Sequence, residues 1–191
     1  MDSVVIIQIM VAAATLLASL GGYLLAGLNE RWRDARTLTR ELQLRGAERE
    51  SRRDDETHAF QRDTLLALQD SVQLMARLTG KAMHFDHMQA RDGKYTQLPD
   101  GLSDEMLANG IEVRRLASRV LDAGVRAAVD AFVDESARLS ISPRYLEGVT
   151  GDDLENRAAT CVMELNDGYE ALTAILGEVV RREIAWRPSV E

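Results

Sequence analysis

The sequence predicts an all-α chain made of a single N-terminal transmembrane helix, a charged helical stalk and an antiparallel three-helix bundle. Three observations predict it. Residues 4–28 contain no charged side chain. Only 3 Pro and 5% aromatic residues stand among plentiful Ala, Leu, Glu and Arg, a composition that favours helix over sheet. Apolar residues then recur at helical spacing through three later segments, separated by clusters of Gly, Pro and Asp. At 191 residues the chain has room for one core with appendages rather than two independent cores.

The anchor is expected over residues 1–28. From Val4 to Leu28 only Gln8 is strongly polar, and about 25 helical residues reach roughly 37 Å, more than the about 30 Å of a bilayer's hydrocarbon core. A cleaved secretory signal would begin with cations and carry a shorter apolar run, whereas this chain begins Met1-Asp2-Ser3. A soluble helix seldom stays apolar on every face for so long. Arg31, Arg33, Arg36 and Arg40 follow at once. Arginine-rich flanks stay in the cytoplasm, so a single-pass protein of the cell membrane is expected, with its N-terminus outside and its C-terminal domain cytoplasmic. Trp32 lies where an amphipathic ring sits well at an interface, and Tyr23 lies deeper. Ala14, Ala18, Gly22 and Ala26 recur every four residues, a strip of small side chains along which a second membrane helix could approach.

Residues 29–55 are expected to continue as a solvated helical stalk. Between residues 30 and 53 there are eight Arg against five acids. Glu41 with Arg45 and Glu48 with Arg52 are favourable pairs, each contributing about 0.2–0.5 kcal/mol. Leu38, Leu42 and Leu44 are its main apolar residues, and no sustained heptad demands a coiled coil. Arg31, Arg33, Arg36 and Arg40 are candidates for contact with anionic lipid headgroups, at about 1 kcal/mol per residue near the surface.

The bundle is expected over 56–187, with helices at about 56–90, 103–140 and 152–186. The first places Leu65, Leu68, Val72, Ala76 and Met83 on one strip, with Phe60, Leu74, Met75, Leu78 and Phe85 beside it. Its apolar arc is wide, as for a helix packed between two neighbours. Gly93, Pro99 and Gly101 punctuate the next loop, and Ser103 with Asp104 and Glu105 reads as a cap with acids in the first turn. The second helix has Val113, Leu116, Ala117, Val120, Leu121, Gly124, Ala128, Ala131 and Phe132 inside. Pro143 follows it, and Thr150 or Asp152 is the expected cap of the third. That last helix repeats Leu154, Ala158, Cys161, Val162, Leu165, Tyr169, Leu172, Leu176 and Val179.

Candidate chemistry is sparse. His84 and His87 are three residues apart on a predicted helix, and with Asp86 or more distant Glu residues they could seed a metal site. No second Glu-x-x-His pair accompanies them, and by helical phase both fall on the polar side, so solvated histidines are expected. Cys161 excludes an internal disulfide and is expected to behave as a small buried hydrophobe. No phosphate-binding Gly-rich loop, no Gly-x-Ser-x-Gly elbow and no His-Glu-x-x-His is present. No cofactor or small-molecule ligand is identifiable from these residues. Residues 54–191 carry fifteen basic against twenty-five acidic side chains, which argues against nucleic acid as a partner. The expected partners are the membrane and either another protein or a second copy of the chain. A tethered interaction or scaffold module is the leading expectation. A metal-binding helical-bundle enzyme or sensor seeded by His84 and His87 and a small subunit of a larger membrane assembly are the alternatives.

Overall fold

The computed structural model describes the backbone at residues 2–93, 98–141 and 146–186, and the side chains within those ranges from residue 40 onward together with Thr15 and Thr37. The chain is all-α, with no strand among the described residues. Its helices are α1 (Asp2–Arg91), α2 (Leu102–Ala117), α3 (Ala123–Leu139) and α4 (Asp152–Ala185). They divide into two compact units, 1–53 and 54–191.

The first unit is helical at every described residue, 2–53, and its described side chains from 40 to 50 are exposed, Leu42 and Leu44 among them. Glu41 and Arg45 pair at 3.9 Å across one helical turn. Among the described residues no helix is long and apolar enough to cross a membrane. Apart from Thr15, which is exposed, the side chains on which the predicted anchor rests, from Val4 to Leu28, lie outside those described, as do the Ala14, Ala18, Gly22, Ala26 strip and Arg31, Arg33 and Arg36. Arg40 is described and is exposed.

In the second unit the expected three-helix bundle is replaced, among the described residues, by four helices that alternate in direction. The predicted helix at 103–140 is broken at residues 118–122, and the chain reverses there. Side-chain bonds record the directions. Gln61 reaches Arg119 and Ser71 is reached from Asn109, so α2 runs antiparallel to α1. Thr79 meets Ser136, further along both α1 and α3, so α3 runs with α1. Asp122 meets Arg182 and Glu164 meets Arg138, so α4 runs back against α3.

The reversal has a local cause and a tertiary one. Asp122 caps α3, its carboxylate accepting from the Val125 N–H at 3.0 Å. Gln61, buried on α1, donates from Nε2 to the Arg119 carbonyl at 2.9 Å and accepts from the Leu121 N–H at 2.9 Å. Arg126 donates to the Val120 and Leu121 carbonyls at 2.6 and 2.8 Å. Backbone groups released by the break are therefore satisfied by two side chains, one of them from a different helix. Leu121, expected inside, is 68% exposed as a result.

Two expected caps also shift. Gly101, at φ 83°, takes the cap position of α2 in place of Ser103. Gly151, at φ 60° and ψ −141°, takes that of α4 in place of Thr150 or Asp152. Both backbone conformations favour residues without a Cβ.

The core joins all four helices through Leu65, Leu68, Val72, Val113, Leu116, Val125, Val129, Phe132, Leu172 and Leu176. Most of the predicted inward residues are here. Phe60 and Leu74 are not, at 52% and 43% exposed, so the apolar arc of α1 is narrower than the sequence suggests. Two smaller clusters lie toward the C-terminal end of α1, one of Leu78, Ala82 and Leu102 and one of Ala90, Leu146 and Leu154. Helix lengths are unequal. The 17 residues of α3 cover about 25 Å, while the 34 of α4 cover about 50 Å. Glu164 of α4 lies opposite Arg138, at the end of α3, so the first part of α4 runs on beyond α3.

Candidate functional site

That mismatch opens a groove. Where α3 has ended, residues 80–87 of α1 and 155–163 of α4 line a cavity of about 450 Å³. Met83, Leu146, Ala158, Val162 and Met163 supply its apolar surface, and Val162 and Met163 are 58% and 65% exposed. Gly80 leaves open space in its wall, since nothing lies within 4 Å of where a Cβ would stand. His84, His87, Glu155 and Cys161 complete the lining.

Both histidines singled out from the sequence therefore face one groove, but in different states. His84 is exposed, as expected. His87 is not a solvated residue: its side chain is 19% exposed and its Nε2 lies 3.2 Å from Glu155 Oε2, at ion-pair distance but without hydrogen-bond alignment. Arg91 approaches the other Glu155 oxygen at 3.5 Å. Asp86, the nearest carboxylate in sequence, is buried outside this lining. Among the described residues no group of three His, Cys, Asp or Glu side chains is placed to hold a metal ion, although His84, His87 and Glu155 line the same groove.

Cys161 is half-buried rather than fully buried, and packs against the edge of the core. Its thiol pKa is pushed up, first because burial penalises the thiolate and next because of the Glu164 carboxylate, while Arg138 and Arg157 oppose the shift. Alkylation of the native chain at neutral pH is expected to run slower than that of the urea-unfolded chain, and to catch up only as pH rises above the ordinary thiol range. Equal rates in stopped alkylation assays read by mass would show the thiol to be open and unshifted.

A second cluster escaped the sequence reading. His58 Nδ1 lies 2.5 Å from Glu183 Oε2, and the His58 ring stacks on Trp186 with centroids 4.0 Å apart. These residues lie 125 positions apart along the chain, so no local pattern connects them. The cluster ties the end of α4 to α1 within the second unit. Nothing in it is arranged as a nucleophile with a base, and we read it as a clasp. Glu155 and Gly80 were also missed as groove residues. Gly80, a helix-weakening residue inside a strongly apolar helix, was the one signal available.

No protein-family model, no curated protein and no solved structure matches the chain, so its function is argued from its own residues.

Proposed function

We propose that the chain is a membrane-tethered helical interaction module, whose bundle recruits or senses a partner at the inner face of a cell membrane. In this reading residues 1–28 anchor the chain, 29–55 form the stalk and 56–187 form the cytoplasmic bundle. The uncharged run from Val4 to Leu28 and the arginines after it support the tether and its orientation. The Ala14, Ala18, Gly22, Ala26 strip would serve association within the membrane, and Arg31, Arg33, Arg36 and Arg40 would meet lipid headgroups.

The observation that carries the interaction reading is on α2. Leu107 and Ile111, one helical turn apart, are 65% and 59% exposed. Paired large apolar side chains on an outward face are the kind of surface that a partner covers. Tethering adds effective concentration, so a contact too weak to persist in solution can hold at a membrane.

The test is crosslinking of the full-length chain in native membranes, beside a Leu107→Asp, Ile111→Asp double variant. Both positions are exposed, so the fold is expected to change in stability by only about 0.5 kcal/mol per site. A crosslinked band in the parent that disappears in the variant is the expected result. A band that survives unchanged would move the contact to the membrane strip, and a monomer in both samples would end the interaction reading.

A further inference from the structure

The groove left beyond the end of α3 has a shape and a chemistry of its own, and it stands whether or not the bundle binds a protein. It runs about 11 Å along α1, from residue 80 to residue 87. Its volume of about 450 Å³ falls within the range of about 300–1,000 Å³ usual for small-molecule sites.

The walls select for an aliphatic body. Met83, Leu146, Val162 and Met163 are apolar, and the two methionines can adjust their side chains to an occupant. Covering Val162 and Met163, the two exposed members, with a ligand recovers the hydrophobic free energy that their exposure to water now costs. Glu155 already lies 3.5 Å from Arg91, and beside His87 without a hydrogen bond. An anionic headgroup would have to take Arg91 from Glu155, and would do so on a unit with ten more acidic than basic side chains. His84 is different. It is exposed, has no hydrogen-bond partner among the described residues, and in its neutral form offers one donor and one acceptor nitrogen.

From this juxtaposition we infer that the α1–α4 groove binds a neutral, single-chain aliphatic amphiphile, with its chain along Gly80, Met83 and Met163 and its hydroxyl or carbonyl head at His84. Gly80 is the specificity-determining position, because the absence of a side chain there leaves room for the aliphatic chain.

Cys161, the only cysteine in the chain, lines the groove and therefore reports its occupancy. The full-length protein in lipid nanodiscs is alkylated with N-ethylmaleimide at mildly alkaline pH, with and without decanol, beside Gly80→Leu in identical discs so that partitioning of the probe into lipid cancels. Leucine at position 80 meets no neighbour at its Cβ and removes a glycine that costs about 1 kcal/mol in a helix, so this variant is expected to melt at or above the parent temperature. Met163→Asp, at an exposed position of the mouth, is a second block that leaves the core alone.

At ten times its dissociation constant, decanol is expected to slow alkylation of the parent about tenfold. It should have no effect on the rate in either blocked variant. Decanoate should protect less than decanol, and His84→Ala should weaken decanol about three- to tenfold, the loss of one hydrogen bond. Protection that is equal in the parent and in both blocked variants, or absent from the parent, would overturn the assignment. So would stronger protection by decanoate, or protection by a short-chain diacylphosphatidylcholine alone, which would place a membrane lipid rather than a free amphiphile in the groove.

Discussion

Leu176→Ala is expected to destabilise the bundle by about 2–5 kcal/mol, the largest effect of any single truncation considered, because the side chain is removed from a site with no solvent access. Leu176 sits on α4 and belongs to the cluster that holds residues of all four helices. Truncation therefore loses both the transfer free energy of the removed methyl groups and the contacts around the cavity left behind. Against a usual total of about 5–15 kcal/mol, that is a substantial fraction. Thermal unfolding followed by circular dichroism should show the midpoint falling by about 3 °C per kcal/mol. Leu107→Ala, on the exposed face of α2, is the control and should leave the midpoint almost unmoved. A Leu176→Ala midpoint indistinguishable from that control would mean that the core is not packed as described.

Thr79→Val comes next. The Thr79 and Ser136 hydroxyls lie 2.5 Å apart, at 0% and 5% exposure, and link α1 to α3 inside an otherwise apolar layer. Valine matches the shape of threonine but leaves the Ser136 hydroxyl to find another acceptor. The expected cost is about 1–3 kcal/mol if that hydroxyl is orphaned. It sits at the lower end of that range if Ser136 turns to a carbonyl one turn back on its own helix. Ser136→Ala should behave in the mirror sense. The double variant Thr79→Val, Ser136→Ala removes both partners together, so it should cost less than the sum of the two single changes. Chemical denaturation of the four proteins closes the cycle, and strict additivity would show that the two hydroxyls do not share a bond.

Most of the helical content was legible because it is written locally. The spacing from Leu154 to Val179 predicts the last helix to within a residue or two, and the structure places it at Asp152–Ala185. The loop after α1 was equally plain from Gly93, Pro99 and Gly101. The break at 118–122 was not. Val113, Leu116 and Val120 before it and Val125, Val129 and Phe132 after it keep an apparently helical rhythm, and neither Gly nor Pro stands within the turn. Asp122 was legible only as an outward-facing charge, although an Asp at that point is also a good cap.

The candidate site was half visible. His84 and His87 stand out in any reading, and helical spacing alone put both on a polar surface. That was right for His84 and wrong for His87, whose neighbour Glu155 arrives from α4. Cys161 was placed on the apolar strip of its helix, where it does lie, but at a point where it is only half-buried.

The sequence by itself determined that this protein is helical, where most of its helices begin and end, and most of the residues that face inward, because those properties follow from backbone preference and from a period of 3.6 residues. Only the tertiary structure decided that the middle segment folds back on itself and that a groove opens beside Gly80. A reversal stabilised by Gln61 depends on a side chain about 60 positions away. A groove depends on α3 ending while α1 and α4 continue, a comparison between helix ends that arises only once the helices are packed side by side.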